Sequence, residues 1–218
     1  MPNHVYSVIS LPTLTKKQKG ILDKIEQAGG ICRYYKPMPK ELENTTSPPR
    51  IVSQEEYLDQ MEKNKTQTYK SYPLTKEMNE SLIQKYGHNS WYGWCNEHWN
   101  TKWGCYDFIV DDEVIYFTSA WSPIGEDIID MFSKDFPDFV YSWEEEQEYG
   151  AKMEYSNGEF IDRNEYDMPE WEEVKELEDG SSITKLLNEH PNYDDGIGYY
   201  LDYSHEFLGK NLEEIEIN

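Results

Sequence analysis

Residues 106–143 read YDFIVDDEVIYFTSAWSPIGEDIIDMFSKDFPDFVYSW and contain the clearest secondary-structure pattern of the chain. Two runs of β-branched and aromatic residues flank the acidic triplet at 111–113, which predicts a β-hairpin. An amphipathic run and a third strand-like run follow. The predicted elements are strands at Tyr106–Val110 and Val114–Ser119, a helix at about Glu126–Lys134 and a strand at Phe139–Trp143.

The beginning of the chain supplies the other half of this pattern. His4–Leu11 predicts a strand, and Thr15 is a suitable N-cap for a helix over Lys16–Ala28. Ile31–Tyr35 then predicts a short strand or an extended return. The order strand, helix, strand, then hairpin, helix, strand predicts an α+β fold, a ferredoxin-like (split βαβ) antiparallel sheet with helices on one face.

The remaining segments lie outside the predicted split βαβ elements. Lys36–Arg50 is rich in Pro and polar residues and predicts a loop, and helical patterns follow at Ser53–Lys63 and Thr75–Tyr86. We interpret residues 43–87 as a helical insertion within a domain of residues 1–161. After a turn at 156–158, residues 162–218 form an acidic extension that carries enough Trp, Tyr and Leu to be mostly folded, with 212–218 frayed.

The charge is large and unevenly distributed. The chain has 43 acidic and 20 basic side chains, a net charge of −23. Residues 1–100 carry 13 basic and 11 acidic groups, whereas residues 101–218 carry 7 and 32. This excess disfavours direct binding to nucleic-acid phosphates or to an anionic membrane. With three cysteines, no long apolar run and no signal-peptide pattern, the sequence predicts a cytoplasmic protein.

An aromatic cluster, NSWYGWCNEHWNTKWGCYD, occupies residues 89–107. These rings predict either a core lid over the sheet or a pocket for a planar ligand such as a nucleobase. Lys102 lies between two tryptophans and is expected to be their cation–π partner or a phosphate contact. The candidate pocket residues are Trp91, Trp94, Trp99, Lys102, Trp103 and Trp121.

Signatures of catalysis and metal binding are weak. His88, Cys95, His98 and Cys105 are residue types that bind zinc, but their spacing matches no familiar zinc motif, and we predict no metal. P-loop, dinucleotide-binding and nucleophile-elbow motifs are absent from the sequence. We therefore predict no catalytic residues, no cofactor and no enzymatic activity.

Several motifs resemble those of the phage- and plasmid-borne YubB-like family, which has a ferredoxin-like domain. The most specific is W-N-T-K-W-x-x-Y-D at Trp99–Asp107. The others are Met1-Pro2-Asn3, Met38-Pro39-x-Glu41-Leu42, W-Y-x-W-C at Trp91–Cys95, T-S-A-W-S-P at Thr118–Pro123 and F-P-D-F at Phe136–Phe139. The resemblance implies a ferredoxin-like fold and a mobile-element origin, and it implies no catalytic residues.

Two functional hypotheses follow. The first is a phage-encoded inhibitor of a host defence or nucleic-acid-handling protein, whose acidic surface occupies a basic partner surface by nucleic-acid mimicry or plain occlusion. The second is a module that sequesters a nucleotide-like signal in the Trp/Tyr pocket. Both place the protein in the host cytoplasm, and the sequence leaves the oligomeric state open. The partner-binding candidates are Asp111, Asp112, Glu113, Glu144, Glu145, Glu146, Glu148, Glu172, Glu173 and Glu176, of which Glu172, Glu173 and Glu176 would share one side of a helix.

Overall fold

A computed structural model describes residues 3–66, 68, 70–146, 149–177, 180–191, 193, 195–202 and 204–211. The chain divides into two compact units, one of residues 1–147 and 152–163 and one of residues 148–151 and 164–218. The domain boundary predicted at 161–162 falls within a strand of the structure, Glu159–Asp167. Among the described residues, no helix is both long and apolar enough to cross a membrane.

The first sheet has six strands, and helices lie between several of them in the sequence. Its predicted hairpin and the helix after it are confirmed. In chain order the elements are β1 (His4–Ser10), α1 (Lys16–Ala28), α2 (Ile31–Tyr35), α3 (Gln54–Asn64), α4 (Lys76–Tyr86), α5 (Trp91–Trp99), β2 (Tyr106–Asp111), β3 (Val114–Ala120), α6 (Glu126–Ser133), β4 (Phe139–Glu145), β5 (Tyr149–Ser156) and β6 (Glu159–Asp167).

The strand order is β2-β3-β1-β4-β5-β6. Strand β1 lies between β3 and β4 and is antiparallel to both, so that Ile9 is paired with Ile115 on one side and Tyr141 on the other. The four strands β2-β3-β1-β4, with α1 and α6 in the connections, form the predicted split βαβ arrangement. Strands β5 and β6 extend this sheet beyond β4.

The core lies under one face of the sheet. Along β1, Val5, Ser7 and Ile9 are buried while their neighbours are half-buried or exposed, as the two-residue period of a strand requires. Helix α6 packs against β4 through Phe132 and Phe139, whose ring centres are 5.2 Å apart. Burial of such rings removes a large apolar area from water and is a main source of stability here.

Local sequence signals explain the ends of α1. Thr15 and Gln18 form a reciprocal capping box at its N-terminus. Gly29 ends the helix in the left-handed conformation, with φ of 84°.

The prediction of a strand at Ile31–Tyr35 is wrong, because these residues form helix α2. A run of five residues, four of them apolar or aromatic, does not distinguish strand from helix by itself. Here Ile31 and Cys32 are buried, and Tyr35 packs edge-to-face on Phe132 of α6. Contacts with another helix therefore decide the conformation.

The segment between α2 and α5 contains both predicted helices. Ser53 and Glu56 form a capping box at α3, and Thr75 caps α4. Isolated parallel bridges join Thr45 to Tyr72 and Ile51 to Leu74, so the loop before α3 runs beside the loop after it.

The second unit is a four-stranded antiparallel sheet of order β10-β9-β8-β7. Ile183 and Tyr200 are buried in it. Glu172, Glu173 and Glu176 lie on a strand, so the expectation that they share one side of a helix is wrong. The predicted frayed end, 212–218, lies outside the described residues. The strands are β7 (Trp171–Glu176), β8 (Ser182–Leu186), β9 (Tyr199–Leu201) and β10 (Glu206–Gly209).

Candidate functional site

The segment that follows α5 is hydrogen-bonded to the end of β3 and to the residues after it. The Thr101 hydroxyl donates to the carbonyl of Ala120 (2.8 Å) and accepts from its amide (3.0 Å). The side-chain amide of Asn100 donates to the carbonyl of Pro123, and the Ser122 hydroxyl donates back to the carbonyl of Asn100. The W-N-T-K and A-W-S-P motifs therefore bind each other and fix where α5 ends.

A cleft of about 510 Å³ lies beside α5, and we call it the aromatic cleft. Its volume falls within the usual range for small-molecule sites, roughly 300–1,000 Å³. Its lining combines indole rings with basic and polar side chains. The lining residues are Arg33, Met38, Glu43, Asn44, Thr45, Lys70, Ser71, Trp91, Cys95, Trp99 and Trp103.

Helix α5 forms one wall because Trp91, Cys95 and Trp99 follow one another at four-residue spacing. The amide of Trp91 donates a 3.0 Å hydrogen bond to the buried hydroxyl of Thr45. The indole N–H of Trp99 donates a 2.8 Å hydrogen bond to the carbonyl of Lys36. These bonds tie the helix to the chain on either side of the Met-Pro segment.

The predicted pocket residues separate into three groups. Trp91, Trp99 and Trp103 line the cleft. Trp94 is buried and packs edge-to-face on Trp99, so it belongs to the core.

Lys102 and Trp121 form the third group and do not line the cleft. The ammonium of Lys102 lies 4.5 Å from the ring centres of both Trp103 and Trp121. Of its two flanking tryptophans only Trp103 is a cation–π partner, because the cation over Trp99 is Arg33. Trp121 is 43% exposed.

Positive charge is concentrated at the cleft although the chain as a whole is acidic. The Arg33 guanidinium lies 5.6 Å from the centre of the Trp99 ring, and Lys70 is a second cationic lining residue. Among the described residues of the lining, Glu43 is the one acidic side chain. Burial raises the pKa of the Cys95 thiol to about 12, so this cysteine is a neutral wall residue rather than a nucleophile.

The four residues considered for zinc do not form a site. Cys32 and Cys105 lie together in the core with their Sγ atoms 3.5 Å apart, and burial raises the pKa of Cys32. Cys95 contacts the Met38 sulfur.

His88 and His98 lie instead beside Glu97. Burial lowers the pKa of His98, and the positive charge of Lys36 acts in the same direction.

The acidic candidates are dispersed over both units. Asp111 and Asp112 are exposed and Glu113 is half-buried at the β2–β3 turn. Glu144 is half-buried, Glu146 is exposed and bonds through a carboxylate oxygen to the amide of His4, and Glu145 is only 4% exposed. Burial thus removes Glu145 from any exposed surface. On β7, Glu172, Glu173 and Glu176 are exposed. Glu148 lies outside the described residues.

Sequence reasoning missed the half of the cleft that comes from the segment interpreted as an insertion. Asn44, Thr45, Lys70 and Ser71 carry no motif of their own. The nearest sequence motif is Met38-Pro39-x-Glu41-Leu42, one of the motifs shared with the YubB-like family. Thr45 is hydrogen-bonded to Trp91 of α5 and is bridged to Tyr72, and such links between distant positions are not evident from composition.

Comparison with known proteins agrees with the topology. Searches of curated proteins and of solved structures gave no match. Residues 98–186 match the model of a ferredoxin-like domain in Api92-like protein, which spans β2 to β8. The predicted ferredoxin-like α+β fold is thereby confirmed, and residues 98–186 are similar to the ferredoxin-like domain in Api92-like protein.

Proposed function

We propose that this chain is a non-enzymatic binding protein whose aromatic cleft holds a small molecule with a planar ring and an anionic group. The observation that carries the proposal is the convergence of the partly exposed Trp91 and Trp103 rings with Arg33 and Lys70 in a chain of net charge −23. A local basic site in an acidic protein favours a small anion over a long polyanion, because the surrounding charge repels extended phosphate chains.

The rings provide the stacking surface. Trp103 is 38% exposed, so part of its indole is accessible to a ligand, and Trp91 at the start of α5 is half-buried. Stacking of a base on an aromatic side chain contributes roughly 1–3 kcal/mol and tolerates any base.

The basic groups provide the anion contact. Arg33 is exposed, but its side chain lies over Trp99, which restricts its conformations before a ligand arrives. A guanidinium presents paired N–H donors that match phosphate or carboxylate oxygens. Less side-chain entropy is then lost on binding.

The polar side chains of the cleft determine which ligands it prefers. Glu43 and the side chains of Asn44 and Ser71 offer acceptors and donors in the same cleft. A carboxylate accepts from an amino group, so Glu43 suits a ligand that carries an exocyclic amine, as adenine, guanine and cytosine do.

On the YubB-like resemblance we further propose that the protein is encoded by a phage or plasmid and acts in the host cytoplasm. Its function there would be to sequester a nucleotide-like host signal. A binding protein needs no catalytic group, and the neutral, buried Cys95 is consistent with that role.

Tryptophan fluorescence with a panel of probes tests the proposal. The probes are adenosine and guanosine monophosphates, adenosine alone and pyrophosphate alone, each added up to about 1 mM. We expect the nucleotides to quench emission, and Arg33→Ala or Trp103→Ala to weaken binding roughly tenfold or more. Trp94→Ala is unsuitable because Trp94 is a core residue.

Trp121→Ala is the matched control, because Trp121 is an exposed indole that contacts Lys102 and does not line the cleft. It should leave the affinity unchanged. Absence of quenching by every probe, or equal losses in the Trp103 and Trp121 variants, would refute the proposal.

The acidic surface supports a second candidate function, inhibition of a host protein with a basic surface. Glu172, Glu173 and Glu176 are exposed along β7, and Asp111 and Asp112 are exposed at the hairpin turn. Attraction between such carboxylates and a basic partner would speed association and weaken with salt.

A pull-down from host lysate at low and high salt tests this candidate. We expect a captured defence or nucleic-acid-handling protein to be lost at high salt, and after substitution of the exposed β7 glutamates by Gln. If the partner is captured equally well at high salt and by the Gln variant, inhibition through the acidic surface is contradicted.

A further inference from the structure

His88, Glu97 and His98 form a side-chain cluster that the aromatic cleft does not use. One potential ligand atom from each residue lies within 4.8 Å of the other two. Nε2 of His88 and Oε2 of Glu97 share a 2.5 Å hydrogen bond, and the two imidazole rings meet edge-to-face. Two imidazoles and a carboxylate are thus held together although His88 and Glu97 are nine residues apart in the sequence.

The cluster is positioned by the backbone and by packing. Gly93 of α5 leaves room for the His88 ring, since a Cβ at this position would lie 2.8 Å from His88 Nδ1. The His98 ring packs on the buried Trp94 at 4.5 Å between centres. The Glu97 side chain is 63% exposed, so it can adjust by rotation about its side-chain bonds.

We infer that His88, Glu97 and His98 bind a divalent transition-metal ion of the zinc type. Zinc takes imidazole nitrogens at roughly 2.0–2.1 Å and carboxylate oxygens at roughly 2.0–2.2 Å, so in its tetrahedral geometry two ligand atoms are roughly 3.3–3.5 Å apart. Ligand atoms that already lie within 4.8 Å of one another can reach this spacing by rotation of the exposed Glu97 side chain and small shifts of the two imidazole rings. Binding of the ion releases the hydrogen shared by His88 and Glu97 to solvent as a proton, moves their ligand atoms apart from 2.5 Å and leaves a fourth position for water.

The donor set selects the class of ion. Imidazole suits zinc, copper, nickel and iron, whereas calcium and magnesium prefer sites made of oxygen. The carboxylate supplies one negative charge to offset the ion. Lys36, whose charge acts on His98, is paired with Asp127 at 2.8 Å, which offsets its repulsion of a cation.

This site is separate from the aromatic cleft. Trp91, Cys95 and Trp99 point to the cleft from one side of α5, and neither histidine nor Glu97 lines it. Loss of nucleotide binding in the Arg33 variant would therefore leave metal binding intact.

The test uses the full chain after treatment with EDTA, with Zn²⁺ followed by calorimetry and Co²⁺ followed by visible absorption. We expect one ion per chain and new Co²⁺ bands. Glu97→Gln, at an exposed position that folding tolerates, should weaken Zn²⁺ binding roughly tenfold or more. His98→Ala should do the same and abolish the bands.

Gly93→Ala tests the positioning of His88 without removing a ligand. The added methyl group displaces the ring while alanine improves helix propensity, so affinity should fall roughly tenfold without loss of folding. His205→Ala, an exposed histidine of the second unit, is the control and should bind like the wild type. No Zn²⁺ binding by the wild type, or the same affinity in Glu97→Gln, would overturn the inference.

Discussion

The indole N–H of Trp99 lies 2.8 Å from the backbone carbonyl of Lys36 and donates a hydrogen bond to it across 63 residues of sequence. Trp99 is fully buried, Arg33 covers its ring and Trp94 packs on its edge. The last residue of α5 is thus fixed to the segment that follows α2. This bond holds α5, which lines the aromatic cleft, beside the segment that contains the lining residue Met38.

Replacement of Trp99 by Phe should destabilise the protein. The change removes the hydrogen bond to Lys36 and leaves a cavity, so we expect the free energy of unfolding to fall by about 1–3 kcal/mol. Urea denaturation measures this. Trp103→Phe, at a 38% exposed position, should cost less than about 1 kcal/mol. Equal losses in the two variants would contradict the role of Trp99.

Two glycines should respond to alanine with opposite signs. Gly158 has φ of +79° in the turn between β5 and β6, and Ser133 donates to its carbonyl at 3.0 Å. Gly158→Ala should lower stability by about 1–2 kcal/mol, the cost of a left-handed residue with a side chain. Gly20 lies inside α1, and an alanine methyl group there would meet no described atom of another segment within 4 Å. Gly20→Ala should therefore add about 0.5–1 kcal/mol.

Thermal unfolding of the two alanine variants measures both changes in stability, the expected loss in Gly158→Ala and the expected gain in Gly20→Ala. Destabilisation by Gly20→Ala would show that α1 is not helical at that position. No effect of Gly158→Ala would show that the turn relaxes without cost.

Glu41 should make stability depend on pH in the acidic range. Hydrogen bonds from Lys85 and Tyr86 of α4 lower the pKa of its carboxyl from 4.5 to about 2. A carboxyl whose pKa falls on folding contributes stability that is present above its unfolded pKa and is lost as pH drops through the folded pKa. The stability advantage of wild type over Glu41→Gln should therefore be constant above about pH 5 and vanish near pH 2.

Urea denaturation between pH 2 and 7 checks this expectation. The Glu41 side chain is exposed, so high salt should reduce the difference at neutral pH. A difference that stays the same from pH 5 to pH 2 would point to a packing effect of the substitution.

The three thiols should be unreactive in the folded protein. Cys32, Cys95 and Cys105 are free and buried, and a pKa near 12 leaves Cys95 almost entirely as the thiol at pH 8. We expect a thiol reagent to label none of them rapidly at pH 8 and all three in denaturant. Rapid native labelling of Cys95 would show that the cleft opens more than the structure indicates.

Local chemistry in the sequence determined the elements whose conformation depends on near neighbours. The acidic triplet at 111–113 gives the β2–β3 turn, Asn157 and Gly158 with φ of 53° and 79° give the β5–β6 turn, and Thr15 starts α1. Their order along the chain then predicts the split βαβ sheet. Turn residues, caps and hydrophobic period act within a few positions, so one sequence suffices to read them.

Tertiary structure decided the conformation and position of the rest. Ile31–Tyr35 becomes a helix because of its contacts with α6, and Glu145 is buried although its neighbours are charged. The aromatic cleft joins Arg33 and Lys70 to α5, and Gly93 brings His88 to Glu97 and His98. These groups are brought together by packing between distant segments, and the free energy of that packing depends on contacts that no local pattern contains.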